Sequence, residues 1–142
     1  MIVVVDASVA IKWYVDEIFD AEAELLLAGG FELQAPELLI PEFGNIIWKK
    51  NRSGQLPKDE AMTIIEAFGK QNIKFHSHKS LLLSSINGSL TTGQTVYDWT
   101  YLSLAISLEC PFVTADARFY DAVKNTAVGE HLLWIQDVIK QS

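Results

Sequence analysis

The stretch running from Ile2 to Ser8, IVVVDAS, decides how the rest of the chain is read. Ile2 to Val5 are apolar and β-branched, the signature of a strand buried on both faces. The next residue is Asp6, a carboxylate that is expensive to take out of water. A strand ending on an acid either caps a following helix or delivers that acid to a shared chemical site. The rest of the sequence has to choose between the two.

Outward from that strand, apolar runs and helical periodicities alternate. Residues 8–15 predict a short helix, and residues 19–28 a second one closed by Gly29-Gly30. A short strand follows at 33–35, then a helix over 38–50 with Leu39, Phe43, Ile46 and Ile47 mostly on one face. Pro57 opens another helix, lined by Ala61, Ile64, Ile65 and Phe68. Residues 73–75 suit a third strand and 80–86 a helix, while NGSLTTG, residues 87–93, carries the signals of a loop. A strongly apolar helix is expected over 95–108, a fourth strand over 112–114, a helix over 116–123 and a last edge strand over 132–135. Strands alternating with helices mean an α/β fold with a parallel sheet covered on both faces. No internal repeat, low-complexity segment or linker interrupts the pattern, so one domain spanning residues 1–142 is expected.

In such a sheet, ligands gather beyond the carboxyl ends of the strands. Asp6 follows the first strand, and Glu42 lies in the first turn of the helix after the second. Asp98 lies in the first turn of the long helix leading to the fourth strand, and Asp116 follows that strand in FVTAD. All four acids are therefore expected at one edge. Taken singly, each has a plain structural role. Asp6 or Asp116 serves as an N-cap, Glu42 complements a helix dipole, and Thr95 with Asp98 resembles a capping box. Taken together they repel one another, and a divalent cation relieves that conflict. Mg²⁺ or Mn²⁺ suits carboxylate oxygens, and its common use is phosphoryl chemistry, activating water and steadying charge on phosphate oxygens.

The bulk properties set limits on this reading. The chain has 142 residues, 49% of them hydrophobic and 20% charged, as in folded globular proteins. Its net charge of −7 opposes tight, non-specific binding to nucleic acid. It does not oppose a nucleic-acid enzyme whose cations offset the acids at the point of contact. The one basic cluster, Lys49, Lys50 and Arg52, reads as a solvated helix end. No apolar run approaches a membrane span, and no signal peptide is evident, so a cytoplasmic protein without membrane attachment is expected. The lone Cys110 cannot form an internal disulfide and is expected to be buried.

Three segments, VVVDASVAIKWYVDE, APELLIPEFGNIIW and TVYDWTYLSLAISLECPFVTADARF, together resemble PIN-domain ribonucleases in order and spacing. More narrowly they resemble VapC-type toxins of toxin–antitoxin pairs. The resemblance runs from Met1 to about Val123. It implies a three-layer α/β/α sandwich with a mostly parallel, four- to five-stranded sheet, and Mg²⁺- or Mn²⁺-dependent endonuclease activity on RNA. It also implies a homodimer held inactive by a cognate VapB-type antitoxin. Asp6, Glu42, Asp98 and Asp116 fall on the family's catalytic, metal-binding acids. Ser8 and Thr114 fall on hydroxyl residues that hold a carboxylate or a bound water. One departure is Trp99, where the family usually has a small residue directly after the third acid. It is expected to narrow the substrate groove or to join a protein interface.

Other residues carry weaker expectations. His76 and His78 lie two apart on an extended segment but lack a third zinc ligand nearby. Lys12 is expected in solvent, and Trp13, Tyr14, Trp48 and Trp134 in the core or an interface. Ile47, Trp48 and Ile65 are candidates to face a partner. Two other readings stay open. A haloacid-dehalogenase-type phosphohydrolase also starts with a strand and an Asp, but needs a second acid where Ser8 stands. A non-catalytic PIN-like module that binds RNA or protein would have no use for four mutually repelling acids.

Overall fold

A computed structural model describes residues 1–141. Five strands form one sheet in the order β3-β2-β1-β4-β5, and every neighbouring pair is parallel. The strands are β1 (Ile2–Val5), β2 (Glu32–Pro36), β3 (Ile73–His76), β4 (Phe112–Thr114) and β5 (Leu132–Trp134). Successive strand residues point to opposite faces, yet Val3, Val4 and Val5 are all fully buried. Both faces of β1 are therefore covered, as its unbroken apolar run requires.

The helices are α1 (Ala7–Ala10), α2 (Asp20–Ala28), α3 (Leu39–Arg52), α4 (Lys58–Gly69), α5 (Leu82–Thr92), α6 (Val96–Ser107) and α7 (Ala117–Val123). α3 buries Leu39, Phe43 and Ile47, spaced four apart, and Phe43 stacks on Phe68 of α4 with ring centroids 4.0 Å apart. α6 differs, because its residues from Trp99 to Ala105 are all buried. A helix apolar all round needs a cover on its far side. That cover is α5, which contradicts the loop expected at 87–93. The helix continues through Asn87 and Gly88 to Thr92 and ends at Gly93, whose φ of 74° makes the left-handed cap. Small residues let the two helices approach. Ser84 and Ser85 hydrogen-bond to Ser103 at 3.0 and 3.2 Å, and a Cβ on Gly88 would lie 2.2 Å from the Trp99 ring.

Trp99 is accordingly a core residue, and one edge of it also lines a cavity with Gly88, Thr91 and Val128. It is buried, its Nε1 donates to Thr92 Oγ1 at 2.9 Å, and its ring meets Phe119 edge-on. Lys12 also departs from expectation. It is buried and paired with Glu17 at 3.1 Å, and Glu17 in turn binds Lys50 at 3.3 Å. Ile47 belongs to the core, Ile65 packs against it, and Trp48 stands in solvent with the Arg52 guanidinium over its ring. Cys110 is buried as expected.

Candidate active site

The sheet order places a topological switch beside β1, since one connection leads away to β2 and another returns on the opposite side to β4. Crevices outside the carboxyl ends of strands form at such points. The register pairs Val5 with Val113, so the chain leaves β1 at Asp6 beside the place where β4 ends at Thr114.

Asp6 is buried and held from three sides. Ser8 Oγ donates to Oδ1 at 2.6 Å, Val9 N to Oδ1 at 3.1 Å, and Thr114 Oγ1 to Oδ2 at 2.8 Å. Each hydroxyl is itself engaged on its acceptor side. Ala115 N donates to Ser8 Oγ, and Asp116 N donates to Thr114 Oγ1, both at 3.1 Å. Backbone N–H groups leaving β4 thus fix both hydroxyls so that their single protons point at Asp6. Oδ1 already accepts two hydrogen bonds and Oδ2 one, which leaves Oδ2 the freer oxygen.

Glu42 enters from α3 and accepts a hydrogen bond at 2.5 Å from Tyr101 Oη of α6. Asp98 begins α6 under the N-cap Thr95, whose Oγ1 accepts from Asp98 N at 3.1 Å. Asp116 caps α7 by accepting from Phe119 N at 3.2 Å. The capping roles expected of Asp6 and Asp116 are therefore real, and they coexist with convergence on one site.

The electrostatics show that convergence. Burial pushes the Asp6 carboxyl up to about 7, against its hydrogen bonds from Ser8, Thr114 and Val9 and with added repulsion from Asp98. Burial also raises Glu42, opposed by Tyr101 and aided by Asp98. Asp98 is raised by burial too, held back by Thr95, and pushed further by Asp116. Asp98 is thus the hub through which the four acids feel one another. Arg118, exposed near the start of α7, is a cation whose field acts against that rise.

An oxygen-only set of mutually repelling carboxylates fits a hard divalent cation. The side chains stand apart, as like charges do: among the described residues, no three His, Cys, Asp or Glu are gathered to metal-holding distance. His76 does not form a zinc pair with His78, because its Nε2 donates to Gln34 Oε1 at 2.5 Å. Sequence reasoning missed Tyr101, which the apolar pattern of α6 presents as one more core aromatic. Its position three residues after Asp98, one turn on along the same helix face, is the signal that could have found it.

A parallel sheet with acids at its switch point defines an α/β class whose ligands gather beyond the carboxyl ends of the strands. The family within that class is given by sequence: the PIN domain family matches residues 3–125. The chain is a PIN-domain protein of the VapC type. Ribonuclease VapC3 of Pyrobaculum aerophilum is 34% identical over 120 residues, covering 83% of this chain and 92% of that one. The fold is shared with the crystal structure of PAE2754 from Pyrobaculum aerophilum. Its TM-score is 0.75 at 21% identity, with 98% of this chain and 87% of that chain covered. It is shared too with VapBC2 from Rickettsia felis bound to a promoter DNA fragment. There the TM-score is 0.63 at 13% identity, with 94% and 98% of the two chains covered. Mycobacterium tuberculosis VapC20, a Sarcin-Ricin loop cleaving toxin, gives 0.64 at 12% identity over 85% and 95%.

Proposed function

We propose that this protein is an endoribonuclease toxin that hydrolyses RNA phosphodiester bonds with the help of Mg²⁺ or Mn²⁺. The observation that carries the proposal is the placement of Asp6 and Asp116 where β1 and β4 end side by side, with Glu42 and Asp98 in the first turns of α3 and α6, close enough that Asp98 repels Asp6 and Glu42. Asp6, Glu42, Asp98 and Asp116 would hold the ion, directly or through water. When bound, it would supply Lewis-acid activation of water and stabilisation of charge on the phosphate oxygens.

The chain's own groups do the rest. Ser8 and Thr114 fix the Asp6 carboxylate in one orientation, a preorganisation that costs nothing at the moment of reaction. Thr95 and the first turn of α6 hold Asp98 in place. Arg118, exposed and within the field of Asp98, would meet a substrate phosphate. RNA as substrate is supported by the 34% identity to a ribonuclease. A VapB-type antitoxin and a homodimeric state are proposed with it, supported by the VapBC2 neighbour and by exposed apolar side chains such as Trp48, Leu83 and Leu90. Among the described residues no helix is long and apolar enough to cross a membrane, and a cytoplasmic location is proposed.

The test is cleavage of total cellular RNA by purified, antitoxin-free protein with Mg²⁺ or Mn²⁺, with EDTA, and with Asp6→Asn. Discrete products that require the metal and vanish in the variant are expected. Products that persist in EDTA or in Asp6→Asn would overturn the assignment. Metal binding without turnover on any RNA would favour the non-catalytic module instead.

A further inference from the structure

We propose that the Tyr101 hydroxyl is a positioning group that fixes Glu42 toward the shared acid site, so that divalent-cation affinity depends on it. The inference rests on the metal-site reading above and names a residue through which that site is built.

The four acids are not equally constrained by their own backbone. Asp6 and Asp116 are short side chains that accept from backbone N–H groups as helix caps. Asp98 is tethered by Thr95 at the start of α6. Glu42 has a longer side chain, an extra torsion to order, and no capping role in α3, whose N-cap is Leu38. Among the described residues its one side-chain hydrogen bond is the 2.5 Å contact from Tyr101 Oη. Without that contact, no hydrogen bond among the described residues holds its carboxylate in the crevice rather than in solvent.

Tyr101 is built for such a task. It is 2% exposed, and its ring stacks on Phe112 of β4 with centroids 5.7 Å apart and planes 13° from parallel. A clamped ring delivers its hydroxyl to one place. A buried phenol needs an acceptor of some kind, and a backbone carbonyl would serve, as Ala23 O serves Trp13 Nε1 at 2.9 Å. Tyr101 instead spends its proton on a half-buried carboxylate from another helix. It lies three residues after Asp98 on α6, so one helix carries one acid and the anchor of another. The spacing between Glu42 and Asp98 is thereby set by a rigid element.

The experiment is a double-mutant cycle read by Mn²⁺ binding, with free Mn²⁺ followed by electron paramagnetic resonance, so that cleavage is not the readout. Wild type, Tyr101→Phe, Glu42→Ala and the double variant are titrated. Thermal unfolding of each is recorded without metal. Tyr101→Phe keeps the stacked ring and is expected to weaken Mn²⁺ about tenfold, as loss of an outer partner commonly does. In the Glu42→Ala background the same change is expected to alter affinity less than about twofold, because the group it positions is gone. Equal affinity of Tyr101→Phe and wild type would overturn the inference. So would an equal loss in both backgrounds, or a Tyr101→Phe protein that does not fold, since the oxygen would then serve the core. A wild type that binds no Mn²⁺ would remove the metal-site reading itself and this inference with it, an outcome read on wild type alone.

Discussion

At the carboxyl edge of the sheet, Asp6, Glu42 and Asp98 lie buried or half-buried within one another's field, and among the described residues no ion pair neutralises them. At the far end of α3 the same burial is handled with mixed signs. Glu17 lies between Lys12 and Lys50, and only 6% of the Lys12 side chain is exposed. α3 takes part in both, contributing Glu42 in its first turn and Lys50 in its last. The mixed-sign chain ties the segment after α1 to α3 and has nothing left over to bind. The like-charged set has no such partner, and its mutual repulsion adds to the cost of burial in raising the carboxyls of Asp6, Glu42 and Asp98.

The sharpest way to break this contrast is to remove the hub. Asp98→Asn is expected to lower cleavage by at least about a hundredfold, since loss of mere outer partners already costs about 10- to 100-fold. The same variant is expected to melt higher than wild type without metal at pH 7.5. A lower melting temperature would mean that the acids are not in conflict.

Next in size is the response to metal and pH. The Asp6 carboxyl titrates near 7 when folded but at 3.8 in its reference state. Between those values the folded protein holds a proton that the unfolded chain has released. Stability from this group therefore falls as pH rises from about 4 to about 7, and is level above that. Without metal, the melting temperature should decline across that window, and Asp6→Asn should flatten the decline. Mn²⁺ at 100 times its dissociation constant should restore about 2.7 kcal/mol at pH 7.5 and much less at pH 5, where protons compete for the ligands.

Glu17→Ala probes the other side. It leaves Lys12 buried without its partner, and about 2 kcal/mol of stability should be lost, less than for a fully buried pair because Glu17 is partly exposed. Metal affinity, measured by the same Mn²⁺ titration, should not change. The smallest effect is expected for Trp48→Ala, within about 0.5 kcal/mol in chemical denaturation of the monomer, since its ring is exposed and carries the Arg52 guanidinium over its face.

Much of this was legible in the sequence because it obeys local rules. An apolar run ending in an acid marks Asp6, a first-turn acid marks Glu42 and Asp98, and the alternation of strand and helix gives the parallel sheet. What was not legible depends on neighbours distant in sequence. Asn87 and Gly88 carry the local chemistry of a loop, yet α6 needs covering and α5 covers it with small residues. Lys12 looks like a solvated helix residue until Glu17 folds back on it. Tyr101 looks like core until Glu42, 59 positions away, comes within hydrogen-bonding distance.

Gly88 and Trp99 restrict how this sequence can change with time. A side chain at 88 would collide with the indole, beginning at 2.2 Å from Cδ2. In this packing tryptophan at 99 requires glycine at 88, and a side chain at 88 requires a smaller residue at 99. The two positions thus exclude one another's larger side chains, and the space under α5 is filled from one side or the other.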